Sequence, residues 1–258
     1  MEVICSALSS GATGYTFSTH PTNSQILSAL NRLTGQFDLY PIVPYAEGYV
    51  RLANEKGMSG LVNEVLSKLS ISEKAKLLVE GGISALKLDP LGMLKTYLDA
   101  ELKSYLNMKP KNAVLRSVLL HEVLTDLCLG LGETELLNLF AQHVHDNYHV
   151  QPGFVTYNLP RFVKLFQQAA FPLKDVVIMT PFNSVGYQMS PSRNSCELCL
   201  STLPKSSVIG MSVLAGGFLL LDQAVDYIRT LHSLAGVAVG ISNVQHAKET
   251  FARLAMLK

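Results

Sequence analysis

Four ionisable side chains close apolar, strand-like runs in a pattern that could do chemistry: His20 at the end of 14–20, Lys87 and Asp89 at the end of 83–89, and His121 near the end of 115–122. A lysine held among apolar neighbours loses part of its affinity for the proton, so it can act as an amine nucleophile or acidify a nearby hydroxyl. A histidine beside it can pass a proton or orient a carbonyl, and Tyr45, at the end of 37–45, is a hydroxyl that could supply that proton. The same residues also fit a purely structural reading, in which Lys87 and Asp89 form an internal ion pair and His121 is hydrogen-bonded in a polar core.

Such side chains need a scaffold that brings strand ends together. Strand-like and helix-period segments alternate along the 258 residues without a Pro/Ser-rich linker, which predicts one domain over 1–258. The predicted strands are 14–20, 37–45, 83–89, 115–122, 153–158, 176–182, 208–214 and 237–242. Helices are expected over 1–10, 25–33, 47–69, 72–80, 90–106, 126–148, 160–169, 191–203, 222–234 and 244–257. The fourth strand is the ambiguous one, because 114–129 also reads as a single apolar helix. Strand followed by helix, repeated in this way, predicts an α/β fold: a (β/α)8 TIM barrel of parallel strands with right-handed crossovers.

The carboxyl ends of barrel strands form one face, where barrel enzymes build their sites. Two stretches give that face a candidate cradle: Val208-Ile209-Gly210-Met211-Ser212-Val213-Leu214-Ala215-Gly216-Gly217, and Val237-Ala238-Val239-Gly240-Ile241-Ser242-Asn243. Glycine and serine where a strand passes into a helix leave backbone N–H groups open to an anion such as a phosphate. Alternation along the strands then predicts which side chains enter the lumen. Ile209, Met211 and Val213 are expected outward and Gly210 and Ser212 inward; Thr16, Ser18 and His20 are expected inward, as are Lys87, Asp89, His121, Thr156, Asn158, Thr180, Ala238, Gly240 and Ser242. The expected ligand-binding set is His20, Thr156, Asn158, Thr180, Asn183, Ser212, Gly216, Gly217, Ser242, Asn243 and His246. The expected catalytic set is Lys87, His121, Tyr45 and Asp89.

Composition narrows the partners. With 48% hydrophobic and 16% charged residues and a net charge of +1, the chain suits buried parallel strands and gives no footing for a nucleic acid. Its longest apolar run, 208–221, is broken by glycines and is shorter than the roughly 18 residues a membrane span needs. No basic and apolar leader opens the chain, which points to a cytoplasmic protein with its four cysteines as thiols. No metal site is expected. His145 and His149 have the i,i+4 spacing of a chelate, but they lie in the last turn of a predicted helix, where the dipole favours cations in any case. Cys196 and Cys199, without a second pair, read as two thiols on one helix face.

The segment Gly240-Ile241-Ser242-Asn243-Val244-Gln245-His246-Ala247-Lys248-Glu249-Thr250 is similar to the last strand and cofactor loop of the aldo-keto reductases. Gly210-Met211-Ser212-Val213-Leu214-Ala215-Gly216 resembles the strand before it, and Lys87 and His121 stand where that family keeps its catalytic lysine and histidine. The whole chain also resembles prokaryotic barrel proteins. The departures are that Asp38 lies at the start of its strand rather than its end, Met211 stands where an aromatic usually faces the nicotinamide, and Thr250 replaces an asparagine. The resemblance implies an NAD(P)H cofactor, with a small-molecule ligand as the only partner and the oligomeric state open. The residues leave two other readings: a cofactor-free lyase or isomerase acting on a phosphorylated or carboxylated metabolite through Lys87, and a non-catalytic ligand-binding barrel.

Overall fold

The computed structural model describes residues 2–31, 33, 35–45, 90–169, 172–205 and 207–257. The segments expected at 47–69, 72–80 and 83–89, and with them Lys87 and Asp89, lie outside the described residues.

The strands are β1 (Gly14–Ser18), β2 (Phe37–Val43), β3 (Ala113–Leu115), β4 (Ser117–Leu120), β5 (Gln151–Val155), β6 (Val177–Pro181), β7 (Val208–Met211) and β8 (Gly236–Val237). All ladders are parallel and run β1-β2-β4-β5-β6-β7-β8, with β3 also on β2. Each described crossover carries a helix, as parallel pairing requires. The helices are α1 (Glu2–Ser9), α2 (Pro21–Leu30), α3 (Pro90–Leu106), α4 (Glu122–Leu131), α5 (Glu135–Tyr148), α6 (Leu159–Gln168), α7 (Arg193–Ser201), α8 (Leu221–Arg229) and α9 (Val244–Ala255). This is the expected α/β barrel architecture, in an open form: among the described residues no ladder joins β8 to β1.

The ambiguous run at 114–129 divides between strand and helix. β3 and β4 are one strand broken at Arg116, whose N–H still donates to Leu39 O at 3.1 Å. The chain then turns at His121 into α4. β4 pairs directly with β2, Ile42 opposite Leu119 and Val43 opposite Leu120. The second and fourth expected strands are therefore neighbours. The expected helix over 126–148 is two helices, because Gly132 ends α4 in the left-handed conformation (φ +73°) that glycine adopts without steric cost.

Burial follows the pleat. In β2, Phe37, Leu39, Pro41 and Val43 are buried while Asp38, Tyr40 and Ile42 are half-buried. Val43, Val118, Leu120, Phe154, Ile178, Phe182 and Val208 pack outward against the helix layer. Phe154 sits at its centre, with ring centroids 5.5 Å from Phe140 and 5.2 Å from both Phe162 and Phe166. A second cluster fills the sheet's other face: Leu119, Val155 and Met179, with Tyr40, Ile42, Ile209, Met211 and Ala238 against them. This reverses the expected parity of β7. Ile209 and Met211 face the lumen, and Gly210 faces the helix side, where an added Cβ would come within 3.3 Å of Leu234 and 3.7 Å of Phe182. Gly210 is small because the helix-side packing is close, so it makes no room for a ligand. Ala238 enters the lumen as expected.

At the open seam, α1 packs on α9. Gly11 has φ +111° there, and an added Cβ would stand 2.8 Å from the Ala255 Cβ, so both the backbone and the contact require glycine. Ser6 Oγ reaches Val244 O at 3.5 Å.

Candidate functional site

The carboxyl ends of β1, β2 and β4 lie side by side, since Ser18 pairs with Ile42 and Val43 with Leu120. Just beyond them stand His20, Tyr45 and His121. His20 is the N-cap of α2, and its Nδ1 accepts from Thr22 N at 3.2 Å with Thr22 Oγ1 at 2.7 Å. A nitrogen accepting a backbone N–H carries no proton, so the neutral ring has its hydrogen on Nε2. His121 caps α4 in the same way, Nδ1 accepting from Val123 N at 3.3 Å. Glu122 Oε2 lies 3.1 Å from that nitrogen, so the neutral ring caps the helix and a protonated ring would pair with Glu122 instead. The His20 and Tyr45 rings meet edge to face with centroids 4.8 Å apart.

Two helix carboxylates hold these strand ends. Glu101 of α3, only 4% exposed, accepts from Tyr45 N at 2.8 Å and from the Thr19 hydroxyl, while Tyr105 Oη donates to Thr19 O at 2.6 Å. Burial, with Glu101 and Tyr45 beside it, pushes the Tyr105 phenol up to about 12. Asp126 of α4 repeats the device, Oδ1 accepting from Thr156 Oγ1 at 2.5 Å and Oδ2 from Tyr157 N at 3.0 Å. In both, a carboxylate gathers a threonine hydroxyl and a tyrosine N–H; a carboxylate taken out of water needs such donors. Burial, with Glu122, Asp126 and Tyr187 nearby, raises the Tyr157 pKa. Glu101 and Asp126 were not among the expected site residues. The signal for Glu101 is its place between Leu98, Leu102 and Tyr105 on the buried stripe of α3.

The loops after β6 and β7 form a third group. Asn183 is fully buried; its Oδ1 accepts from Tyr187 N at 2.7 Å, and its Nδ2 donates to Tyr187 O at 2.8 Å and to Ser212 O at 3.3 Å. Ser212 Oγ in turn donates to Gln188 Oε1 at 3.2 Å. Of the four non-glycine residues with positive φ among the described residues, Gln188 (+60°), Ser212 (+52°) and Ala215 (+48°) are here, followed by Gly216 (+69°) and Gly217 (+92°). Non-glycine residues in that region are strained by about 1–3 kcal/mol each, and such strain gathers where a structure holds a particular geometry for use.

A cavity of about 1420 Å³ runs from these turns along the open seam between β8 and β1, where α1, α9 and the end of α8 contribute to its wall. Ser212, Gly216, Gly217 and His246 of the expected set line it, with Tyr187, Gln188, Ile209 and Met211. Asn243 stands beside it as the N-cap of α9, its Oδ1 accepting from His246 N at 2.8 Å; Ser242 precedes it, exposed. His20, Tyr45 and His121 are not part of that lining.

The remaining expected residues are placed differently. Thr156 and Thr180 are buried with the parity of Phe154 and Ile178, the helix side, so neither enters the lumen. Asn158 caps α6 through Arg161 N at 3.2 Å. At the far end, Arg116 pairs with Asp38 at 2.8 Å. His145 contacts Asp146, and His149 is the left-handed C-cap of α5. No group of three or more His, Cys, Asp or Glu side chains that could hold a metal ion occurs among the described residues. Burial pushes the thiols of Cys196 and Cys199 up to about 11. No described helix is long and apolar enough to cross a membrane.

These features define a parallel α/β barrel with polar groups gathered at the carboxyl ends of its strands. The chain superposes on a crystal structure from Pseudomonas aeruginosa that was assigned to the aldo-keto reductases, with a TM-score of 0.58 and 12% sequence identity over 99% of this chain and 82% of that one. At that identity the likeness establishes the fold. No family model and no curated protein matches the chain.

Proposed function

We propose that the protein is an oxidoreductase that reduces a small carbonyl compound with NAD(P)H. The observation that carries this reading is the cavity of about 1420 Å³ that opens on the strained turn at Ser212 and Gly216-Gly217. Pockets for one drug-sized ligand span about 300–1,000 Å³, so this one has room for a dinucleotide, with the substrate placed between it and the strand ends that carry His20, Tyr45 and His121. The likeness to a barrel assigned to the aldo-keto reductases supports the same reading.

The residues fit such a cofactor. An added Cβ at Gly217 would meet nothing within 4 Å, so its backbone is open to a close approach. The Asn243 side chain satisfies only the third N–H of α9, leaving earlier first-turn donors for a phosphate near Ser242. A nicotinamide, when bound, supplies the hydride. The chain supplies the rest. His121, with its proton on Nε2, donates to the substrate carbonyl, and Tyr45 Oη gives its proton to the oxygen that becomes the alcohol, with Lys87 the expected partner of that hydroxyl. His20 adds to the polar surroundings of that carbonyl, and Asp89 is expected to do the same.

Titration with NADPH and NADH tests the reading. The chain has 10 tyrosines and no tryptophan, so tyrosine emission and the melting temperature are the readouts. Binding should raise Tm, and Tyr45→Phe should retain binding while losing about 10²-fold or more in turnover of a carbonyl panel, the usual worth of a general acid. A melting temperature and an emission spectrum unmoved by millimolar NADPH and NADH would overturn it.

A further inference from the structure

Tyr187 is a large aromatic residue that packing alone does not account for. It is 46% exposed, yet its backbone is fixed on both sides by the Asn183 amide. Its ring lies along the glycine turn, with Cε1 and Oη each 4.0 Å from where a Gly216 Cβ would be. Beside it Gln188 is held at φ +60°, with Oε1 accepting from Ser212 Oγ, so its amide nitrogen is the donor at the cavity edge. Both residues line the cavity.

The chemistry of this wall selects a ligand. A clamped, half-exposed ring offers a π-face at little entropic cost, since its backbone is already ordered. Beside that face stand an amide, a hydroxyl and the backbone of Gly216 and Gly217. Below them Ile209 and Met211 line the lumen with apolar surface. A flat, neutral ring with donors and acceptors on its rim would stack on Tyr187 and find Gln188 and Ser212 at its edge.

We propose that Tyr187 and Gln188 form the docking wall for an uncharged heteroaromatic ring of a nucleotide, Tyr187 stacking on its face and Gln188 reading its rim. This rests on the reading of the cavity as a nucleotide site, and adenine and reduced nicotinamide share the required chemistry. Loss of a stacked aromatic partner costs about 1–3 kcal/mol per base, so Tyr187→Leu should weaken binding about 5- to 150-fold. Tyr187→Phe keeps the face and should bind within about twofold of the wild type.

Equilibrium dialysis of the wild type and both variants with NADPH, AMP and reduced nicotinamide mononucleotide provides the test, with Tm confirming that the variants fold. Weakening by Tyr187→Leu and not by Tyr187→Phe supports the wall, and the mononucleotide that shows the effect identifies the ring. NADPH binding unaffected in Tyr187→Leu overturns the wall and leaves the carbonyl-reductase reading standing. AMP binding that depends on Tyr187, without NADPH binding, sustains the wall and overturns the reductase. No binding of any probe by the wild type overturns both.

Discussion

Asn183 joins the loop after β6 to the turn after β7, and removing its side chain should loosen both. Three hydrogen bonds would go: Tyr187 N to Oδ1 at 2.7 Å, and Nδ2 to Tyr187 O at 2.8 Å and to Ser212 O at 3.3 Å. At about 0.5–1.5 kcal/mol net for each bond, Asn183→Ala should lose about 2–4 kcal/mol, because at a fully buried position the abandoned partners are shielded from water. For a chain of this size that is roughly 5–15 °C in Tm. Asn183→Asp is the sharper variant. It keeps the shape and the Oδ1 acceptor, but turns both donations into a carboxylate oxygen facing two carbonyl oxygens. Urea unfolding at pH 7 should therefore find the aspartate at least as destabilising as the alanine, with part of the loss recovered in acid as the carboxyl gains a proton to donate. An aspartate variant within about 0.5 kcal/mol of the wild type at pH 7, the scale of a neutral surface change, would refute the donor role given to Asn183.

Two further perturbations test the lumen packing and the alkaline limit. Gly153→Ala would place a Cβ 2.6 Å from Ser117 Oγ and 2.8 Å from Leu119 Cγ, so it should cost about 1–3 kcal/mol by overpacking in urea unfolding, and a neutral result would contradict the close packing of Gly153 against Ser117 and Leu119. Burial raises the Tyr15 and Tyr105 phenols from 10.0 to about 12. The unfolded chain releases these protons first, so their contribution to stability is complete below pH 10 and is lost as pH rises toward 12. Tyr15→Phe should flatten that alkaline decline, and a decline of unchanged steepness would count against a buried Tyr15.

Among the described residues the order of strands and helices was legible because most are apolar runs ended by glycine or a capping residue. Proline at position 90 opens α3 and Gly11 follows α1, as expected. The lumen was harder to read. Large residues outward and small ones inward presumes a barrel hollow at every level, whereas Leu119, Val155, Met179, Ile209 and Met211 fill the interior here. Polar residues do stand at the strand ends, and there they carry two meanings. His20, His121, Asn158 and Asn243 all cap helices, satisfying donors that any helix start must satisfy. Capping fixes one face of an imidazole and leaves the other for a ligand, so the cap and the site are compatible uses of one residue. Glu101 was missed because an acid on an apolar stripe shows no partner until α3 is laid across β1 and β2.

The seam between β8 and β1 has a kinetic meaning as well. Ser6 and Val244, which meet there, are 238 residues apart, whereas neighbouring strands are joined by much shorter crossovers. Closing so long a loop costs about 2 kcal/mol more than closing one of roughly 30 residues, and nothing repays that cost until the rest of the sheet exists. β8 contributes a ladder over only Gly236 and Val237, too little to nucleate the closure by itself. The packing of α1 on α9 should therefore be the last contact made in folding and the first released in unfolding, and native-state hydrogen exchange should find α1 and α9 opening below the global free energy that protects β4, β5 and β6.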